Sequence, residues 1–293
     1  MTNQDFNIRL MNTLENIIVD GKHGKPILLD VYWKTTEKPK NIVLFAHGFK
    51  GFKDWGTWSK IGYEIADAGF VFIKMNFSHN GITSKNLLEF LDLEGFGSNN
   101  YEIELDDIDC VLNWLETQNP IPHTEVNLSS INLIGHSRGG GVAIIKASED
   151  SRISSLITWA AVGTLDWMFH SEMVIKWKEA GVHFIINGRT KQEMPLYYQL
   201  YENFEQNKKR FDTKKALEGL HKPHLIIQGT KDPAIPVSSA KLHKQWNPSA
   251  SLILIENADH VFGGQHPFSA DSLPSDTEKL VRHTIDFLKN PLL

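Results

Sequence analysis

Hydrophobic positions along the chain follow two alternating rhythms. Residues 14–19 and 27–33 carry strand-type apolar residues, separated by glycines and Pro26, and predict an antiparallel lead-in pair. From residue 41 the rhythm changes. "NIVLFAH" is a short, nearly continuous apolar run, the pattern of a strand buried on both faces. "WSKIGYEIADAG" follows with amphipathic spacing, and Gly69 is placed to cap its C-terminus. "FVFIKMNF" predicts a strand, "NYEIELDDIDCVLNWLETQ" a helix with Pro120 just beyond its end, and "INLIG" a strand. A helix is expected from 138 to about 148, then a strand in "SSLITWAA". The alternation resumes with "PHLIIQG" as strand, "PVSSAKLHKQW" as helix and "SLILIE" as strand. The last helix is "SDTEKLVRHTIDFLKN", where Ser275 and Glu278 have capping-box spacing.

Strands alternating with helices imply an α/β fold: a mostly parallel sheet with helices on both faces. Between 161 and 222 this rhythm breaks. The segment holds nine aromatic residues and includes "VHFIINGRTKQ", whose Asn187-Gly188 pair signals a hairpin. It is expected to be a cap inserted over one end of the sheet, with 1–160 and 223–293 forming the core.

Composition narrows the class. With 41% hydrophobic and 22% charged residues, the 293-residue chain has the make-up of a soluble globular protein able to bury a sizeable core. The net charge of −5 is interspersed, and no basic tract marks a nucleic-acid partner. The single cysteine, Cys110, falls in a helical pattern as a small core residue. An intrachain disulfide is therefore impossible, which suits a reducing cytosol. "MTNQDFNIRLMNTLENIIVDG" lacks the basic region and apolar run of a signal peptide. No apolar stretch approaches the roughly 20 residues that span a bilayer. The expectation is a cytoplasmic protein with no membrane partner. Oligomeric state is left open.

The chemistry is concentrated in "INLIGHSRGGGVAII". Gly135-His136-Ser137-Arg138-Gly139 matches G-x-S-x-G, with a predicted strand before it and a helix after it, as a nucleophile elbow requires. The turn brings strand and helix so close that a Cβ at Gly135 or Gly139 would clash. Each further glycine in the first helical turn costs about 1 kcal/mol of helix propensity, so Gly140 and Gly141 point to a steric requirement. A phosphate-binding turn is the bland alternative, but neither G-x-G-x-x-G nor G-x-x-x-x-G-K-[ST] occurs.

A serine hydroxyl needs a base. Of 13 histidines, His260 in "ENADHVFGG" lies just beyond a strand end, where sites gather in open α/β sheets. His266 is its main rival, His47 and His136 read as structural, and His79 could line the rim. Asp232 in "LIIQGTKDPAIP" is the acid expected to orient the imidazole, ahead of Asp166 and Asp259. Two backbone N–H groups should meet the oxyanion, those of Arg138 and Phe49, which leaves both side chains free to shape the pocket. Trp167, Trp177, Tyr197 and Tyr201 in the cap are the candidates for substrate contact, because aromatics offer large apolar area. No metal-ligand spacing such as H-E-x-x-H is present, and neither metal nor cofactor is expected.

The motifs "AHGFKG", "IGHSRGG", "GTKDPAIPV" and "IENADHVF" span residues 46–262. Together they resemble the α/β-hydrolase superfamily and are most similar to its cinnamoyl/feruloyl esterase and dienelactone-hydrolase-like groups. The resemblance implies a cofactor-free serine esterase with Ser137, Asp232 and His260 as triad, Phe49 and Arg138 as oxyanion donors, and a small-molecule ester as substrate. It departs from the family at "NFSHNGITSKN", where a D-x-x-G-H-G-like turn is common, and in the 161–222 segment. Amide or peptide hydrolysis on the same fold, or ligand binding without catalysis, are the alternatives.

Overall fold

A computed structural model describes residues 11–291. β1 (Met11–Val19) and β2 (Ile27–Lys34) form the expected antiparallel pair. β3 (Lys40–Ala46), α1 (Trp58–Asp67) and β4 (Val71–Asn76) follow. A short α2 (Leu93–Gly97) precedes α3 (Tyr101–Thr117), and then come β5 (Val126–His136), α4 (Arg138–Glu149) and β6 (Ile153–Trp159). The 161–222 segment contains α5 (Ser171–Ala180), β7 (Val182–Ile186), β8 (Glu193–Tyr197), α6 (Gln199–Gln206) and α7 (Thr213–Glu218). β9 (His224–Gly229), α8 (Val237–Trp246), β10 (Ser251–Ile255) and α9 (Ser275–Lys289) complete the fold.

Eight strands make one sheet in the order β1-β2-β4-β3-β5-β6-β9-β10. β2 runs antiparallel to β1 and β4, and all other neighbours are parallel. Alternate residues of β3 enter two separate cores. Ile42 and Leu44 pack with Leu105, Ile108 and Val142 of α3 and α4. Val43 and Phe45 pack with Ile61 and Ile65 of α1 and with Leu280 of α9. A strand buried on both faces needs an unbroken apolar run, which is why "IVLF" shows no alternation. Among the described residues no helix is long and apolar enough to cross a membrane.

Three local details differ from the sequence pattern. The N-cap of α9 is Pro274, whose carbonyl accepts the Glu278 N–H, so Ser275 is already helical and no capping box forms. α1 ends at Asp67 with Ala68 as its C-cap, and Gly69 follows one residue beyond the cap with φ 102°. The hairpin forms where Asn187-Gly188 predicts it, but through a six-residue loop, since Ile186 pairs with Glu193. That loop rests on the backbone of residues 88–90, through Arg189 Nη2 to Leu88 O (3.2 Å) and Gln192 Nε2 to Phe90 O (2.9 Å).

A square of buried charges fastens the loop after β3 to the sheet. Lys53 Nζ lies 2.8 Å from Asp30 and 2.7 Å from Asp54. Lys74 Nζ lies 3.0 Å from Asp30 and 2.8 Å from Asp54. Lys53, Lys74 and Asp30 are almost fully buried, so removing one partner leaves a charge without its neighbour in a dry site. Lys74→Met should cost about 3–5 kcal/mol in urea unfolding. Adding Asp30→Asn should cost less than the two single changes together, because the pair removes one charge of each sign. A Lys74→Met loss within about 0.5 kcal/mol would show that the square contributes little.

Candidate active site

β5 ends at His136 and α4 begins at Arg138, so one residue makes the turn between them. Ser137 makes it with φ 57° and ψ −123°, a conformation that a non-glycine residue holds only under outside constraint. Its N–H donates to Trp159 O at the end of β6 (2.9 Å). Its carbonyl accepts from the Gly140, Gly141 and Val162 amides. A Cβ at Gly135 would lie 2.4 Å from Gly139 O, and one at Gly139 would lie 2.3 Å from His47 O. Gly140 and Gly141 face Ala161 and Val162 in the same manner, at 2.5 and 2.7 Å. The three consecutive glycines of α4 thus meet three different walls, which accounts for the poor helix formers at its start.

Three loops from separate strand ends converge on this turn. His260 follows β10, and its Nε2 is 3.0 Å from Ser137 Oγ. Its Nδ1 is 2.8 Å from Asp232 Oδ2, in the loop after β9. An ionised carboxylate only accepts, so Nδ1 carries the proton and Nε2 is left to accept from the serine. The Asp232 side chain is fully buried. Burial pushes its pKa up, but hydrogen bonds from His260 and from the Ile235 and Ala234 amides outweigh this and hold it below the usual carboxylate value. Gln228 Nε2 gives a further bond to the same oxygen that meets His260 (2.9 Å). Gln228 lies inside β9 with nothing in its sequence setting to mark it. His136 lies beside His260, with its Nε2 2.9 Å from the His260 carbonyl. Burial lowers the His136 pKa to about 3 and that of His47 to about 4, so both are neutral imidazoles.

The loop after β3 presses on the serine. A Cβ on Gly48 would stand 2.7 Å from Ser137 Cβ. Among the described residues, neither the Phe49 nor the Arg138 N–H has a protein acceptor. The side chain of Arg138 is not free, contrary to the sequence expectation. Its Nη2 is 3.0 Å from Glu104 Oε1 and its Nε 3.2 Å from Oε2, and its guanidinium lies over the Tyr101 and Phe49 rings. A permanently charged group this deeply buried needs a carboxylate, and α3 supplies one.

A cavity of about 230 Å³ opens over Ser137. Phe49, Lys50, Trp55 and Trp58 from the β3–α1 loop line it, with Asn187 and Gly188 from the hairpin tip opposite. The four aromatics of 161–222 singled out from sequence are not among its walls. Trp177 is buried and donates to Leu196 O, and Tyr201 packs on Phe169 and Tyr198. Tyr197 donates to Glu94, while Trp167 meets the Phe49 ring edge-on at 6.3 Å. These side chains fill the inserted segment's own packing and its seams with the core. The rival site residues also lie elsewhere in function. His266 accepts from Gly56 N, Asp259 accepts from the Val261 and Gly263 amides, and Asp166 meets Thr164. His79 is buried against Ser78. A larger groove of about 630 Å³ between α1 and α9 contains none of the converging residues.

The model of the family described as the alpha/beta hydrolase fold matches residues 41–185. No curated protein matches the sequence closely enough to stand as a relative. Est1E from Butyrivibrio proteoclasticus, solved with ferulic acid bound, superposes with a TM-score of 0.70 over 94% of this chain and 98% of that one, at 15% identity. A dienelactone hydrolase from Anabaena variabilis gives 0.62 over 97% and 99%, at 14% identity. An esterase from Pyrobaculum calidifontis gives 0.62 over 95% and 84%, at 15% identity. At these identities the likeness is one of fold.

The depressed pKa of Asp232 has a consequence for stability. Its ionised form stabilises the native state above the ordinary carboxylate pKa, and this is lost as pH falls through the lower folded value. The native protein should lose Tm below about pH 4. Asp232→Asn should lose less Tm than the wild type between about pH 5 and 3. Parallel Tm profiles for the two proteins would contradict this.

Proposed function

The chain has the α/β-hydrolase fold, and from that premise we propose that it is a serine hydrolase cleaving carboxylic esters through an acyl-enzyme intermediate. The observation that carries this is the aligned series Ser137, His260 and Asp232, at 3.0 and 2.8 Å, on a turn that holds the serine at positive φ. His260 takes the Ser137 proton as Oγ attacks the ester carbonyl. The carbonyl oxygen becomes an oxyanion and is met by the Phe49 and Arg138 N–H groups. A single such donor is worth about 3–4 kcal/mol of barrier elsewhere. His260 then protonates the leaving alcohol, and water repeats the sequence on the acyl-enzyme. Asp232 holds the imidazole in the required tautomer and stabilises its charged form.

The cavity supports a small substrate. Its volume of about 230 Å³ is below the roughly 300–1,000 Å³ of pockets for drug-sized ligands. Phe49, Trp55 and Trp58 give it flat apolar walls suited to a short or single-ring aromatic acyl group. In this reading 161–222 is a cap over the 1–160 and 223–293 core, and it reaches the substrate through Asn187 and Gly188.

A fluorophosphonate probe should label the wild type at Ser137 and leave Ser137→Ala unlabelled. Asp232→Asn should fold and lose about 10⁴ in kcat, the scale of the equivalent change in another triad enzyme. Paired aryl esters and anilides should show turnover of the ester first. Ester turnover that survives Ser137→Ala would overturn the proposal, and equal turnover of anilides would redirect it to amides.

A further inference from the structure

We propose that Lys50 selects esters that carry a second, anionic carboxylate group. This rests on the esterase reading of the same site. Lys50 lies next to Phe49 in the β3–α1 loop and lines the cavity together with Ser137 and His260. Its backbone is held at φ 57°, in the left-handed region that glycine would occupy without steric cost. A lysine there needs a reason beyond the turn.

The charge of Lys50 is the unusual feature. The buried cations packed around this loop are matched by carboxylates. Arg138 has Glu104, and Lys53 and Lys74 share Asp30 and Asp54. Among the described residues no carboxylate lies within ion-pair distance of Lys50, and its ammonium lies over the Phe49 ring, 5.8 Å from the centroid. The cavity walls carry no carboxylate. His47 and His136 are neutral there, and the Asp232 carboxylate is fully buried behind His260. The only permanent charge among the wall residues is therefore positive and unpaired. Burial also lowers the Lys50 pKa, as expected for an ammonium that has lost water without gaining a partner. A substrate carboxylate would supply that partner, with a charge-assisted hydrogen bond beside the reacting ester. A neutral substrate would leave the ammonium as it is. Lysine suits a point-like anion whose exact orientation varies with substrate.

The test uses ester pairs of matched shape. On the acyl side, monoethyl succinate is compared with its neutral monoamide. On the alcohol side, acetoxyacetate is compared with acetoxyacetamide. The readout is the ratio of kcat/KM, anionic over neutral, which cancels a general loss of activity. The wild type should favour the anion by about tenfold in at least one pair, and the preference should weaken as salt rises. Lys50→Met should remove the preference, Lys50→Glu should reverse it, and Lys50→Arg should keep most of it. Ratios near one in both pairs, or ratios unchanged in Lys50→Met and Lys50→Glu, would overturn the assignment. The salt dependence of the wild-type ratio decides the matter if the variants fail to fold. Failure of the esterase reading looks different: no ester of either pair is turned over and Ser137 is not labelled.

Discussion

Ser137 is held in a backbone conformation that costs on the order of 1–3 kcal/mol, and much of the surrounding architecture is the means of holding it. Its amide is fixed by the end of β6, and its carbonyl by the first turn of α4 and by Val162. Those bonds require β5, β6 and α4 to approach one another without intervening side chains, and the glycines make that approach possible. The same closeness has a second effect. Gly139 lies against the His47 carbonyl, so the start of α4 touches the loop leaving β3. That contact brings the loop carrying Phe49 against the helix that starts at Arg138. Strain at Ser137 and the close approach of the β3–α1 loop to α4 follow from one packing constraint.

Electrostatics around the turn follow from burial. Histidines with no water and no carboxylate become neutral, as His47 and His136 do. Asp232 is equally dry but stays ionised, because four hydrogen-bond donors surround its two oxygens. Arg138 cannot lose its charge, so it draws in Glu104 and is removed from the cavity. What is left facing the substrate space is apolar and aromatic, with Lys50 as its permanent charge.

The regular part of the fold is legible in the sequence because periodicity reports burial directly. "NIVLFAH" and "PHLIIQG" read as strands since both of their faces are covered, and "IGHSRGG" reads as a turn since only glycine tolerates contacts this close to its neighbours. Asp232 and His260 are legible from their places beyond strand ends. Side-chain direction is not. Whether Arg138 points into the cavity or into α3 depends on Glu104, 34 positions away. Gln228 shows no signal because its contact with Asp232 depends on how the chain turns after β9. The aromatics of 161–222 mislead for a physical reason. That segment must bury apolar surface against itself and against the core on the α3–α4 face of the sheet, and Trp177, Phe169, Tyr198 and Tyr201 satisfy that need first. The cavity instead takes Asn187 and Gly188, residues whose sequence signal is that of a turn alone.

The two walls of the cavity differ in how firmly they are held. The β3–α1 loop carries Phe49, Lys50, Trp55 and Trp58, and is tied to β2 and β4 by Lys53, Asp54 and their buried partners. Lys53 N also donates to Asn76 Oδ1 (2.6 Å), which binds the loop's backbone to the end of β4. Movement of this wall would carry the Phe49 amide with it and change its position relative to Ser137. The opposite wall is the hairpin tip, which rests on residues 88–90 through two side-chain bonds to backbone carbonyls. Its displacement would leave Ser137, His260 and both donors in place. Change in substrate size is therefore accommodated most cheaply at 187–192. In the proposed esterase reaction, recognition that must stay in register with the reacting carbonyl belongs on the anchored loop, where Lys50 is found.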